Sequence, residues 1–237
     1  MSDLHRNAVL AALDPDRLDQ LMPHLQVEPS PIGHVAQRAA KPLKHIYFPL
    51  DAVYSVLAES EHGVGIEVGS VGSEGLLGLA SHLDARVSRH TTVCWCAGDT
   101  AHIPVDEFLR VTHAAGPWRE AMDRFTDYLL IQMAQNVLCT SQHSVRARLA
   151  RWLLAAHDRF DCQQFSSTQE SLSQMLGVHR PTISETAARM QREGLITYRR
   201  GNIVIDDRIG LRQVACECYQ VVDDALAALR KANRGPD

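Results

Sequence analysis

Residues 166–185 read SSTQESLSQMLGVHRPTISE, and this stretch decides the fold of the C-terminal part of the chain. Ser167 and Glu170 have the spacing of a capping box, which predicts the start of a helix. Gly177 is expected to adopt the left-handed backbone conformation that ends this helix. A second helix is expected from Arg180, because the proline that follows it is tolerated in a first helical turn. Two short helices joined by a tight turn indicate a helix-turn-helix.

The second predicted helix has one apolar and one polar face. Ile183, Ala187 and Met190 follow a spacing of i, i+4 and i+7, so we expect them to face inward. The outward residues are small or polar, which suits a helix that enters a DNA major groove about 12 Å wide. They are Pro181, Ser184, Glu185, Ala188 and Arg192.

A short hairpin is predicted directly after the second helix. Residues 196–205, ITYRRGNIVI, place β-prone residues on both sides of a turn. Arg199 and Arg200 lie at this turn, where we expect them to meet DNA phosphates. The predicted motif is therefore a winged helix-turn-helix. Its candidate DNA-binding residues are Thr168, Gln169, His179, Arg180, Pro181, Thr182, Ser184, Glu185, Arg189, Arg199 and Arg200.

The preceding part of the chain predicts a β-rich segment and then a long helix. Short helices are expected within residues 2–22, and β-prone runs alternate with turn residues from 26 to 104. Several short strands at this spacing favour an antiparallel sandwich or barrel. A helical segment follows from Val105, through a break at Gly116-Pro117, to Cys139.

One apolar stripe marks the second part of that helical segment. A long apolar stripe on a helix is typical of a seam between two copies of the chain, or of a helix that lies on its own β domain. Both alternatives stay open. The expected domains are 1–115 (β-rich, with short N-terminal helices), 116–143 (dimerisation helix) and 144–237 (winged helix-turn-helix). The stripe comprises Met122, Phe125, Leu129, Leu130, Met133, Val137 and Leu138.

The charge of the chain is unevenly distributed. The net charge is −4. Residues 1–140 hold 10 Lys and Arg against 17 Asp and Glu, whereas residues 141–212 hold 11 arginines against 7 carboxylates. An acidic front and a locally basic rear fit a two-part protein that binds DNA at one end.

The six cysteines do not have the spacing of a zinc site. None forms a Cys-x-x-Cys pair, although Cys-x-Cys occurs at Cys94 and Cys96 and again at Cys216 and Cys218. Cys94 and Cys96 could face one core together if they lie on a strand. We expect buried, reduced thiols and no metal ligands, with a metal or redox site as the alternative.

The chain resembles the Crp/Fnr regulator superfamily on these motifs. The resemblance rests on Thr168-Gln169-Glu170, on Leu176-Gly177-Val178-x-Arg180-x-Thr182-Ile183-Ser184 and on Glu193-Gly194-Leu195-Ile196. It implies an α+β fold with an N-terminal antiparallel β-roll of the cyclic-nucleotide-binding type (a double-stranded β-helix), a long dimerisation helix and a C-terminal winged helix-turn-helix. It also implies a homodimer on a two-fold symmetric operator in double-stranded DNA, with RNA polymerase as a further partner.

The sequence departs from the family pattern at two places. Many members carry Glu at the position of Pro181 and Arg at that of Glu185, so the usual operator is not expected here. In the sensor half, the nearest matches to the nucleotide-binding motifs are Glu74 with Gly75 and Arg89 with His90. These four are the candidate effector-binding residues, for an effector of unknown identity, because their spacing and His90 argue against a cyclic nucleotide.

The sequence gives less support to other cofactors and other functions. The N-terminal cysteine cluster of oxygen-sensing members is absent, which argues against an iron–sulfur cluster. Haem stays open, since His82, His90 and His102 fall in the β-rich segment. A cupin-type enzyme would need a His-x-His motif with a downstream Glu, which is missing, so we expect no catalytic residues. A helix-turn-helix that serves only as a protein adaptor is disfavoured by the arginine-bearing wing.

The sequence also predicts where the protein resides. Its first residues lack the basic-then-apolar order of a secretory signal. No apolar run reaches the roughly 18–20 residues that span a membrane. We therefore expect a cytoplasmic protein that does not bind membranes.

Overall fold

The computed structural model describes most of the 237 residues, and the following statements refer to these ranges. Cys162, one of the six cysteines, lies outside the described residues. The described residues are 4–61, 65–83, 85–112, 116–159 and 164–234.

The described residues form an α+β fold, as predicted. The helices are α1 (Ala8–Ala11), α2 (Pro15–Leu21), α3 (Val105–Thr112), α4 (Pro117–Gln142), α5 (Val145–Arg159), α6 (Gln169–Leu176), α7 (Arg180–Arg192), α8 (Arg208–Val214) and α9 (Cys218–Arg234). The strands are β1 (Gln26–Ser30), β2 (Val35–Gln37), β3 (His45–Pro49), β4 (Val53–Glu59), β5 (Gly65–Val71), β6 (Thr91–Cys96), β7 (Gly98–Pro104), β8 (Gln164–Ser166), β9 (Ile196–Arg199) and β10 (Asn202–Ile205).

The chain divides into two compact units. The first comprises Met1–Glu59, Gly69–Leu130 and Leu226–Asp237, and the second comprises Ser60–Val68 and Ile131–Ala225. This division describes packing and not independent folding. The domain bounds expected from the sequence therefore stay a prediction.

Two antiparallel sheets make up the β-rich part. One sheet has the order β1-β7-β3 and the other β2-β6-β4-β5. In the first sheet β7 is central, so that Phe48 on β3 and Val27 on β1 both pair with Ala101. Two sheets with such non-sequential strand orders are typical of a roll or sandwich, as the β-prone runs predicted.

A bulge on β6 alters the expected arrangement of the two thiols there. Tyr54 pairs with Cys94 and Val53 with Cys96, so Trp95 is the extra residue on β6. Cys94 is buried, and this burial raises the pKa of its thiol to about 11. Cys96 is only half-buried. The prediction that both point into one core is wrong for Cys96, because the bulge breaks the alternation of faces.

The core of the first unit lies between the three-stranded sheet and the helices that flank it in sequence. Phe48 stacks edge-on against Phe108 of α3, and Phe108 does so against Trp118 of α4. The buried side chains of this core include Leu10, Leu21, Ile46, Phe48, Leu76, Ile103, Phe108, Trp118 and Met122. Helix α4 begins at Pro117, as expected from a residue that needs no intrahelical donor in the first turn.

The apolar stripe of α4 changes environment along the helix. Met122 and Phe125 are fully buried. Leu130 is 59% exposed, Val137 71% and Leu138 42%. The first part of the stripe therefore belongs to a core, and only the later part is an exposed apolar face. Neither of the two predicted roles describes the whole helix.

The second unit contains the predicted winged helix-turn-helix. Helices α6 and α7 lie in sequence between β8 and the β9–β10 hairpin, and the three strands form a sheet of order β8-β10-β9. Ile203 of β10 pairs with Tyr198 on one side and with Phe165 on the other. Strand β8 was not predicted, because three residues are too short to show a pattern.

The start of α6 differs from the prediction by one residue. The N-cap is Thr168, whose hydroxyl accepts a hydrogen bond from the Ser171 backbone amide at 3.0 Å. Ser167 does not cap the helix, because its own amide donates to the Gly201 carbonyl at 2.7 Å and holds it beside the wing. The capping box of Ser167 and Glu170 is therefore a wrong prediction, although the helix is where it was expected.

Among the described residues, no helix is both long enough and apolar enough to cross a membrane.

Candidate nucleic-acid interface

The turn between α6 and α7 has the geometry of a helix-turn-helix. Gly177 has φ +60° and ψ +42°, a left-handed conformation that favours glycine. The Gly177 amide donates to the Gln174 carbonyl at 3.1 Å and the Val178 amide to the Ser173 carbonyl at 3.0 Å. These bonds end α6 within one residue and allow α7 to begin at Arg180, as predicted.

Helix α7 presents the polar face that the sequence predicted. Ile183, Ala187 and Met190 are at most 2% exposed and fix the helix on its own domain. The opposite side is open to solvent. Its exposed residues are Arg180, Pro181, Glu185, Ala188, Arg189 and Arg192, whereas Thr182 and Ser184 are half-buried. His179, the N-cap residue, is exposed and makes no side-chain capping bond.

Two predicted contact residues bind each other across the motif. The Ser184 hydroxyl donates to Gln169 Oε1 at 2.6 Å. This bond joins the first turn of α6 to the second turn of α7. The Gln169 NH₂ group does not take part in this bond. Side-chain amides commonly donate hydrogen bonds to DNA phosphates.

The wing is a tight hairpin. Asn202 pairs with Arg199, so that Arg200 and Gly201 alone form the loop. Their φ angles are +50° and +85°. Positive φ at both loop residues defines a type I′ turn, whose twist matches that of the strands. Arg199 and Arg200 are both exposed at this turn.

Hydrogen bonds attach the wing to the start of α6. The Tyr198 hydroxyl donates to the Ser167 carbonyl at 2.8 Å, and the Ser166 hydroxyl donates to Asn202 Oδ1 at 2.6 Å. Burial raises the pKa of Tyr198, while the nearby positive charge of Arg180 acts in the opposite direction. The tyrosine therefore remains a neutral donor at physiological pH.

The arginines near the motif fall into two groups. Among the described residues, no carboxylate forms an ion pair with Arg180, Arg199 or Arg200. Arg189 instead pairs with Glu193, the residue that caps the C-terminus of α7, with 3.0 Å between Nε and Oε1. Hydrogen bonds from Arg189 and from Arg146 lower the pKa of Glu193. Three guanidinium groups are thus available to a ligand, and the predicted contact Arg189 is already partnered.

An open concavity of about 490 Å³ lies where α6, α7 and the wing meet. It brings together four of the predicted residues, Thr168, Gln169, Arg180 and Arg200. Glu170, Tyr198 and Gly201 also line it, and the sequence did not predict them as contacts. The available signal was the position of Tyr198, an aromatic residue directly before the two turn arginines. Arg199, Glu185 and His179 lie outside this lining.

The candidate effector residues of the first unit differ in accessibility. Glu74 is 3% exposed and its carboxylate accepts from the Gly72 amide at 3.1 Å. Gly75 packs so closely on α4 that a Cβ atom there would overlap the ring of Phe125. Arg89 is exposed, and His90 is half-buried with a pKa lowered by that burial. Whether the four bind one ligand stays a prediction.

The histidines considered as haem ligands differ in their structural surroundings. The side chain of His82 lies outside what the structure describes. His102 belongs to an aromatic group on the three-stranded sheet, with its ring 5.3 Å from that of His45 and 5.7 Å from that of Tyr47. Its Nε2 atom is 3.6 Å from Glu28 Oε2.

The structure also brings together a group that the sequence did not predict. Cys139, His143, Cys216 and Cys218 place one ligand atom each within 4.8 Å of one another. The expectation of no metal ligands overlooked two weak signals. One was the i, i+4 spacing of a cysteine and a histidine at a helix end, and the other was the second Cys-x-Cys. A hydrogen bond from the Cys216 thiol lowers the pKa of Cys139, while burial raises that of Cys218.

Comparison with known proteins agrees with this architecture. Residues 147–214 match the Crp-like helix-turn-helix domain family. No curated protein sequence matches the chain significantly. The second unit thus carries a Crp-like helix-turn-helix domain.

Several solved structures share this fold at low sequence identity. A protein described as a transcriptional regulator of the Crp/Fnr family from Eubacterium rectale has a TM-score of 0.72 and 16% identity, covering 89% of this chain and 98% of its own. FixK2 from Bradyrhizobium japonicum has a TM-score of 0.70 and 12% identity, covering 81% and 98%. The regulator CLP from Xanthomonas campestris has a TM-score of 0.65 and 15% identity, covering 82% and 100%. The chain therefore has the fold of Crp/Fnr-type regulators.

Proposed function

We propose that the chain is a sequence-specific, DNA-binding transcription regulator of the Crp/Fnr type, without enzymatic activity. One observation carries this proposal: α7 presents an exposed face of small and polar residues, with Arg180 at its N-terminal tip, beside a wing with two unpaired arginines. A helix of this kind fits between the phosphate ridges of a major groove, and its N-terminal residues meet the base edges.

The roles of individual residues follow from their positions. Arg180, on the exposed tip of α7, reads a base or anchors a phosphate at the groove edge. Arg199 and Arg200 contact phosphates from the wing, and Gln169 offers its amide donors to the backbone near α6. Glu185 is exposed one turn further along α7 and can accept from a cytosine amino group.

A homodimer is the second element of the proposal. The exposed apolar face of Leu130, Val137 and Leu138 recurs at i, i+7 and i+8 on α4. Heptad spacing of this kind suits a parallel pair of identical helices. Two copies related by a two-fold axis read half-sites one helical turn apart, about 34–36 Å. RNA polymerase is a partner of such a dimer at a promoter.

An effector of the β-roll is the third element. Glu74, Gly75, Arg89 and His90 are its candidate contacts, and the packing of Gly75 on Phe125 connects them to α4. The regulator CLP is described as responsive to cyclic di-GMP. A thermal-shift screen of this protein should accordingly include nucleotides and cyclic dinucleotides, haem and small metabolites. The variant Arg89→Ala is the control that should lose any shift.

A mobility-shift titration with the upstream region of the protein's own gene tests the proposal. Binding should weaken steeply with salt, because each phosphate contact releases counterions. The double variant Arg180→Ala, Arg199→Ala should lose specific binding. Binding that this double variant leaves unchanged would contradict the assignment of the reading head.

A further inference from the structure

The ligand atoms of Cys139, His143, Cys216 and Cys218 converge from two places in the second unit. Cys139 lies in the last turn of α4, and the His143 amide donates to the Cys139 carbonyl at 3.1 Å. The helical turn therefore continues to His143, and both side chains lie on one face. Cys216 and Cys218 flank Glu217 at the short connection from α8 to α9.

The distances within this group are those of a four-coordinate metal site. Cys139 Sγ lies 3.5 Å from Cys216 Sγ, and Cys218 Sγ lies 3.6 Å from His143 Nδ1. A tetrahedral zinc ion with Zn–S about 2.3 Å and Zn–N about 2.0–2.1 Å separates its ligands by roughly 3.5–3.8 Å. No two of the four ligand atoms are more than 4.8 Å apart, so small side-chain rotations would bring all of them to zinc-binding distances.

The burial of the cysteines and the surroundings of the histidine also favour a metal site. Cys139, Cys216 and Cys218 are 1%, 8% and 0% exposed, and His143 is half-buried, so the group is largely shielded from solvent. His143 Nε2, the nitrogen that does not face the sulfurs, lies 3.2 Å from Glu217 Oε1. A carboxylate on the second nitrogen of a metal-binding histidine fixes its ring and its tautomer.

We propose that these four residues bind one structural zinc ion. Zinc replaces the protons of the three thiols, which pass to solvent, and binds the three thiolates and the neutral imidazole Nδ1. The ligand pairs lie just before and just after residues 147–214, the part that matches the helix-turn-helix family. The ion thus joins the two ends of the proposed DNA-binding domain and stabilises it. The site does not depend on DNA binding, and its tests use no DNA.

Metal analysis of the full-length chain is the first test. Protein purified in reductant without a metal-chelating tag should contain one equivalent of zinc per chain. The reduced apoprotein titrated with Co²⁺ should develop thiolate-to-cobalt charge-transfer bands and the strong visible bands of tetrahedral cobalt, with saturation at one equivalent. Absence of bound zinc together with only the weak spectrum of octahedral cobalt would overturn the proposal. Recovery of a Cys139–Cys216 disulfide from anaerobically prepared protein would do the same.

Variants separate the site from the other thiols of the chain. His143→Ala and Cys218→Ser should each abolish the tetrahedral cobalt spectrum, whereas Cys94→Ser, a buried cysteine of the first unit, should leave it unchanged. Glu217→Gln replaces an exposed residue and should fold normally, but should bind zinc about 10–100-fold more weakly in competition with a chromogenic chelator. Asp224→Asn, an exposed carboxylate on α9, is its control. Equal zinc affinity in Glu217→Gln, His143→Ala and the controls would refute the site.

Discussion

At the scale of single residues, the interface is defined by which arginines are already partnered. Arg180 and Arg200 are exposed, and no described carboxylate pairs with either of them. Arg189 has the same charge and lies on the same helix, but Glu193 holds its guanidinium group. Sequence spacing cannot distinguish these cases, since all three residues look equally basic.

The variant Arg180→Ala should weaken binding to the specific DNA site far more than binding to unrelated DNA. Loss of one good base contact costs about 1–3 kcal/mol, which corresponds to roughly 5- to 150-fold in affinity. Fluorescence anisotropy with both DNAs at one fixed salt concentration measures the difference. Arg189→Ala is the matched control, and its effect should be smaller because its charge is already neutralised locally. A larger effect of Arg189→Ala would reverse our assignment of the two residues.

At the scale of elements, Arg200 has two roles in the wing: its backbone forms the turn, and its side chain is proposed to contact a DNA phosphate. Arg200 has a positive φ, which asparagine adopts more readily than arginine. Replacing Arg200 by asparagine should keep the turn geometry and remove only the charge that is proposed to contact phosphate.

The variant Arg200→Asn should keep or slightly raise the free energy of unfolding while it lowers DNA affinity. The affinity loss should be nearly the same for specific and unrelated DNA, and the slope of log affinity against log salt should become shallower by about 1. Urea denaturation and salt-dependent anisotropy measure the two effects. A variant that destabilises the protein and leaves the salt slope unchanged would show that Arg200 serves the turn rather than DNA.

The helix-turn-helix shows how elements were predictable from local signals. Gly177, Pro181 and the apolar spacing of α7 act within a few residues, so the start of α7 and its buried face could be read from the sequence. The N-cap of α6 could not, because the Ser167 amide bonds to Gly201 in the wing, 34 positions away. A contact between distant segments therefore decides that Thr168, and not the adjacent Ser167, caps α6.

At the scale of the whole molecule, α4 is the element that the proposed dimer requires. Its later apolar residues Leu130, Val137 and Leu138 are exposed. Large exposed apolar side chains along one helix are costly in water and are expected to be covered by a partner.

The variant Val137→Glu should convert the dimer into monomers. A carboxylate at the centre of the seam is placed against its symmetry mate, and both must lose water. Light scattering coupled to size-exclusion chromatography measures the molecular mass. The affinity for an operator with two half-sites should fall when the dimer is lost. Ile32→Glu, which replaces another exposed apolar residue, is the control and should not change the mass. If both variants remain dimeric, the exposed face of α4 is not the seam.

The sequence alone determined the class of fold, the second helix of the helix-turn-helix and the hairpin that follows it, because turn residues and hydrophobic periodicity act over a few neighbouring residues. Only the tertiary structure decided which arginines are free and where the apolar stripe of α4 becomes exposed. It also decided that Cys139 and His143 meet Cys216 and Cys218, which stand more than 70 positions further along the chain. Such meetings depend on how helices pack in space, and no local pattern in a single chain records that packing.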